Sequence, residues 1–188
     1  MVGFGSLPNQ LCKKRMNDGV DFNILVVGES GLGKSTLMNS MFLANIYSSE
    51  SEEAVDLNIT ERIESHRIDL EENGVLLRLT VIDTPGFGDA INNTGCWDLI
   101  VEYIERQFEE FLQNETAVIR EKSLDTRVHV CLYFISSSSH GLKPLDIRCL
   151  CSLHKKVNVV LVISKADTLT RKEMRVLKEK VRSSRFST

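Results

Sequence analysis

The 188-residue sequence predicts a three-layer α/β domain with a mostly parallel sheet and one antiparallel hairpin. Three observations carry that expectation. Short apolar runs alternate along the chain with segments of helical periodicity, and strands separated by helices pair in parallel. The first apolar run ends in a glycine-rich stretch that opens a helix. Two further strand-like runs are separated by Glu72-Asn73-Gly74, and Asn-Gly in such a place is a strong hairpin signal.

Taken in order, Phe22 to Val27 (FNILVV) is apolar throughout, as a strand buried on both faces must be. Residues 34–45 then read as a helix. Residues 48–74 hold nine acidic and two basic residues, and with Ser48, Ser49, Ser51 and weak periodicity the stretch reads as a mobile loop leading into the hairpin. His66 to Glu71 and Val75 to Asp83 are the hairpin strands. From Trp97, apolar residues recur at Ile100, Val101, Ile104, Phe108, Phe111 and Leu112, while Glu102, Glu105, Arg106, Glu109 and Glu110 take the wet face of the same helix. Val128 to Ile135 (VHVCLYFI) is a strand, and Pro144 suits the first turn of the next helix. Val157 to Ile163 is another buried strand, and residues 170–182 form a basic helix.

Composition narrows the function classes. With 42% hydrophobic and 26% charged residues, the chain is neither disordered nor membrane-spanning, and its length suits one domain. No apolar run approaches the roughly 20 residues of a membrane helix. The opening MVGFGSLPNQ lacks the basic and apolar regions of a signal peptide, and Val2 excludes N-myristoylation, so a soluble intracellular protein is expected. In that setting the sequons at Asn58, Asn92 and Asn114 are read as chance matches. Five cysteines without CxxC spacing argue against a disulfide framework or a zinc site, and Cys131 reads as a small core residue. The net charge of −3 divides into +5 over residues 171–188 and −8 elsewhere, and a pI near 5.9 speaks against a nucleic-acid partner.

Three motifs then fall at successive strand ends. Gly28-Glu29-Ser30-Gly31-Leu32-Gly33-Lys34-Ser35 fits GxxxxGK[ST] between a strand and a helix. Its glycines let backbone N–H groups approach phosphate at the positive end of a helix. Gly28, Ser30, Gly31, Gly33, Lys34, Ser35 and Thr36 are the expected nucleotide contacts. Lys34 reaches the β- and γ-phosphates, and the Ser35 hydroxyl ligates Mg²⁺. Asp83-Thr84-Pro85-Gly86 ends the next strand, where Asp83 would hold Mg²⁺ through water and the Gly86 N–H would meet the γ-phosphate. On its own DTPG is also an ordinary turn sequence. Ser164-Lys165-Ala166-Asp167 follows the strand LVI. The Asp167 carboxylate can accept from guanine N1–H and the exocyclic amine, which adenine lacks, while the stem of Lys165 lies along the base. Guanine nucleotide, GTP or GDP with Mg²⁺, is the expected ligand.

These residues resemble the septins, a family of filament-forming P-loop GTPases. GESGLGKSTL, DTPGFGDAINN, YFISSSSHGLKPLDI and SKADTLT carry the resemblance over nearly the whole chain. It implies a three-layer P-loop GTPase fold over residues 22–188, incomplete at its C-terminal end and lacking the last strand and helix elements, after an N-terminal basic segment at residues 1–21. It also implies pairing with other septins, homo- or hetero-oligomeric, across the nucleotide-bearing face. His140 and Glu173 match interface residues there, although a solvated loop histidine and an exposed helix charge are the alternatives. Thr60 aligns with a threonine that contacts Mg²⁺ and orients the attacking water, and Gly86 with the catalytic loop. Phe87 stands where fast Ras-like enzymes place a glutamine, so slow turnover is expected. Lys13, Lys14 and Arg15 match a basic segment used at phosphoinositide membrane surfaces, with a solvated basic face as the alternative. The function implied is a GTP-binding filament subunit with slow hydrolysis, a cytoplasmic and cytoskeletal scaffold at the cell cortex or division site. The alternative is a truncated, nucleotide-dead interaction module that modulates full-length partners.

Overall fold

Residues 19–43, 46–48, 63–72, 74–84, 96–117, 124–139 and 141–183 are described by a computed structural model of the chain. Among them, strands β1 (Val20–Gly28), β2 (Glu64–Glu72), β3 (Val75–Asp83), β4 (Val130–Ile135) and β5 (Asn158–Ile163) form one sheet in the order β2-β3-β1-β4-β5. β1 runs parallel to β3 and β4, and β4 parallel to β5; β2 alone is antiparallel, against β3. Helices α1 (Lys34–Phe42), α2 (Cys96–Thr116), α3 (Pro144–Leu153) and α4 (Arg171–Ser183) complete the mixed α/β architecture that the alternation of patterns predicts. No helix among the described residues is long and apolar enough to cross a membrane.

β1, at the centre of the sheet, is buried on both faces, which explains why FNILVV shows no polar alternation. Ile24 and Val26 pack with Met38, Ile46, Leu79, Val81 and Phe134 on the α1 side. Leu25 and Val27 pack with Ile100, Ile104, Cys131, Tyr133 and Leu150 on the side of α2 and α3. Cys131 is a fully buried core residue, as its apolar run implies.

Several boundaries differ from expectation for local reasons. α1 stops at Phe42, short of residue 45, because Leu43 turns left-handed at φ 50° with its N–H on Asn39 O. β4 begins at Val130, not Val128. The preceding residues are held instead by the Asn23 side chain, whose Nδ2 donates to the carbonyls of Asp125 (2.6 Å) and Arg127 (2.9 Å). The acidic stretch is a strand from Glu64 onward, with Arg67, Asp69 and Glu71 on the exposed face, His66, Ile68 and Leu70 on the inward one, and Glu64 exposed at the strand's start. On α2 the apolar stripe runs past its support: Phe108 and Leu112 are exposed, and the Phe111 ring carries the Arg127 guanidinium 3.9 Å from its centroid.

Candidate functional site

Because β1, β3 and β5 point the same way, the three sequence motifs sit along one edge of the sheet. At the end of β1, Gly28 faces Phe134 of β4, and a Cβ there would lie 2.8 Å from Phe134 Cβ at φ +153°. Only glycine lets the chain leave the strand at that point. Gly33, at φ 84°, precedes α1 without a side-chain cap, so the first N–H groups of the helix stay available to an anion. The Lys34 ammonium is buried, with 9% of the residue exposed. It donates to the carbonyls of Gly28 and Glu29, each at 3.1 Å, and so spans the loop from within. The Glu29 carboxylate pairs with Lys143 just ahead of α3, which ties this loop to the β4–α3 connection.

A cavity of about 340 Å³ opens at this edge. The loop and α1 contribute Ser30, Gly31, Gly33, Lys34, Ser35 and Thr36, and the end of β3 contributes Asp83 and Thr84. Thr84 is buried, and its N–H and hydroxyl both donate to Val26 O, at 3.2 and 3.0 Å. That clasp fixes where β3 delivers Asp83. Burial pushes the Asp83 carboxyl above its usual range, while the charge of Lys34 and the Tyr47 hydroxyl draw it back. Asp83 Oδ1 is buried and has no hydrogen-bond partner among the described residues. A buried carboxylate that lines the same cavity as the Ser35 hydroxyl fits a hydrated divalent cation, so the residues present suit Mg²⁺.

At the end of β5, the Ser164 N–H and hydroxyl both donate to Ile135 O at 2.9 Å, stitching β5 to β4 where the ladder ends. Lys165 then turns left-handed at φ 46°. Asp167 lies exposed in the short helical turn Ala166–Thr168, held by Thr168 Oγ1 donating to Lys165 O at 2.7 Å. Lys165 and Asp167 do not line the phosphate-loop cavity. They stand on the same edge, with β4 between them and β1.

Glu173 is exposed on the first turn of α4, and its carboxylate is engaged locally. Oε2 accepts from the Thr170 N–H at 2.8 Å and from its hydroxyl at 2.7 Å, and these bonds hold the carboxyl below its usual range. This is a capping box, legible in Thr170-Arg171-Lys172-Glu173. Thr60, Gly86, His140, Lys13, Lys14 and Arg15 lie outside the described residues.

Sequence reasoning missed two residues of this region. Tyr47, in the turn Ile46–Ser48, brings its hydroxyl into electrostatic contact with Asp83 and Ser35. Its ring packs on His66 of β2, centroids 4.9 Å apart. The alternation around His66 marks it as inward-facing, whereas no pattern in LANIYSS singles out Tyr47.

A glycine loop spanned by its own lysine, an uncapped helix start and a carboxylate on the neighbouring strand define a domain of the P-loop GTPase class. Residues 18–186 match the Septin family model. Over 183 residues, 96% of this chain, the sequence is 50% identical to septin-4 of Homo sapiens and 49% identical to septin-5 of Homo sapiens. The crystal structure of Cdc11 from Saccharomyces cerevisiae is similar with a TM-score of 0.60 at 32% identity, covering 87% of this chain and 60% of that one. The chain belongs to the septin family. It spans 38% of the length of septin-4 and 50% of that of septin-5.

Proposed function

We propose that this chain binds guanine nucleotide at the sheet edge and uses that face to pair with a second septin subunit in a filament. The observation that carries this reading is the convergence of Lys34, the uncapped start of α1 and Asp83 on one cavity. The N–H groups of Gly33 to Ser35 meet the phosphates at the positive end of α1. Lys34, already buried, exchanges its bonds to Gly28 and Glu29 for the β- and γ-phosphates. Ser35 and, through water, Asp83 hold Mg²⁺, which when bound draws negative charge off those phosphates. Asp167 selects guanine, because adenine would leave its carboxylate without donors.

Thr60 and Gly86 are assigned to water orientation and the γ-phosphate, and Phe87 in place of a glutamine makes turnover slow. His140 and Glu173 are assigned to the partner face, where Glu173 acts as an exposed charge anchored by its cap. Lys13, Lys14 and Arg15 are assigned to phosphoinositide membrane surfaces. The resulting role is a cytoskeletal scaffold at the cortex or division site.

The first test is to denature the purified chain and identify the released nucleotide by ion-exchange chromatography. Near-stoichiometric GDP or GTP is expected. Lys34→Ala removes charge-assisted bonds of about 1.5–3 kcal/mol each, so retention should fall on the order of 100-fold and partner pairing with it. A chain that melts cooperatively yet carries no guanine nucleotide would sink the reading. The interaction-module role would then stand in its place.

A further inference from the structure

Among the described residues, five buried side-chain atoms lack a hydrogen bond: Tyr47 Oη, His66 Nδ1 and Nε2, Asp83 Oδ1 and Arg106 Nη2. Four of the five belong to one cluster beside the cavity. Buried polar groups normally find partners, so orphans gathered in one place point to a ligand they are arranged to meet.

The cluster is rigidly built. The Ile46 N–H donates to Asn39 Oδ1 at 2.9 Å, and Ile46 is wholly buried, which fixes the turn that carries Tyr47 to α1. The Tyr47 ring is tilted 60° against His66. In the hairpin ladder His66 stands opposite Val81 and Glu64 opposite Asp83, so β2 supplies the wall behind the carboxylate. Glu64 Oε2 lies 3.8 Å from His66 Nε2. The Tyr47 hydroxyl interacts with Asp83 and with Ser35, the two side chains assigned to the ion. A carboxylate only accepts, so between the two groups the phenol O–H is the donor. A donor without an acceptor and an acceptor without a donor are thus buried side by side.

We propose that Tyr47 is a positioning residue for the magnesium site: its phenol O–H donates to Asp83 Oδ1 and turns the other carboxylate oxygen toward the water shell of the ion. His66 is the surface against which the ring is held. A carboxylate with one oxygen occupied has a single orientation to offer, and such supporting bonds tune metal affinity about 10–100-fold in other sites. The proposal rests on the nucleotide-binding reading above, and the experiment separates the two.

The experiment follows release of a fluorescent N-methylanthraniloyl GDP from the full 188-residue chain, in Mg²⁺ and in EDTA. Tyr47→Phe should speed release in Mg²⁺ about tenfold or more and leave the EDTA rate within about twofold. The same substitution on an Asp83→Asn background should add nothing, because Tyr47 acts through that carboxylate. Tyr47→Phe keeps the ring's packing on His66, so it should lower the melting temperature of the nucleotide-free chain by no more than the loss of one hydrogen bond does. Faster release in both buffers with a lower melt is the signature of a merely structural ring and overturns the proposal. Unchanged release in both overturns it too. Replacing Tyr47 by 3-fluorotyrosine keeps the shape and strengthens the donor, so release in Mg²⁺ should be slower or equal; faster release there counts against the assignment even where Tyr47→Phe fails to fold. A native chain that retains no labelled GDP refutes the nucleotide reading itself, before any variant is compared.

Discussion

Cys131 lies opposite Leu25 in the β1–β4 ladder with no exposed surface, and burial pushes its thiol up to about 12. Only the thiolate attacks electrophiles, and at pH 8 a thiol with that acidity is ionised to on the order of one part in 10⁴. Iodoacetamide in native buffer should therefore leave Cys131 unmodified while half-buried Cys151 reacts, as peptide mass spectrometry would report. Equal labelling of the two would mean that β4 opens readily. The thiol was legible as a core residue because its neighbours in VHVCLYFI are apolar. Legibility at the site followed the same logic. Phosphate chemistry demands glycines, a lysine and a hydroxyl at fixed spacing, so Gly28, Gly33, Lys34 and Ser35 announce themselves. Tyr47 reaches Asp83 only through the path of a turn and the register of β2, neither of which leaves a mark in local sequence. Glu173 is the converse case. Its Thr-x-x-Glu spacing advertises a capping box, whereas the family resemblance alone assigned it to an interface.

Helix α3 shows how one side chain can set an element in place. Pro144 occupies its first turn, and Asp146 closes the start: Oδ2 accepts from the Lys143 N–H and Oδ1 from the Tyr133 hydroxyl, both at 2.8 Å. Asp146 is 6% exposed, so water cannot replace those bonds. Asp146→Ala should cost about 3 kcal/mol in urea unfolding, since bonds to a buried carboxylate contribute about 1.5–3 kcal/mol each and do not add fully. A loss under about 1 kcal/mol would mean that Lys143 and Tyr133 find other acceptors. Lys143 also holds Glu29 of the glycine loop, so a shift of α3 should reach the nucleotide side. Element types were read correctly from periodicity, and β3 matched to the residue. The ends were less legible because they depend on partners remote in sequence. Asn23 holds the approach to β4 from more than a hundred residues away, and the apolar periodicity of α2 does not show where its cover ends, so Phe108 and Leu112 stand exposed.

For the molecule as a whole, the two edges of the sheet differ in protection. β2 closes one edge with exposed Glu64, Arg67, Asp69 and Glu71, and charged edge residues discourage pairing with another sheet. β5 closes the other with NVVLVI, which carries no charge. Among the described elements three helices pack on the face that holds Cys131 and Leu150, whereas α1 covers the other. Val160 lies on that thinner face, with 47% of its surface exposed, in register with Leu132. An uncharged edge beside uncovered valine is a template for strand addition. The 188-residue chain should therefore self-associate at micromolar concentration, and Val160→Lys should shift it toward monomer in sedimentation velocity. Because Val160 is remote from the glycine loop, the same variant should retain as much nucleotide as the native chain. If both proteins sediment alike, association runs through another surface. If Val160→Lys also loses nucleotide, the β5 edge and the phosphate site are one cooperative unit.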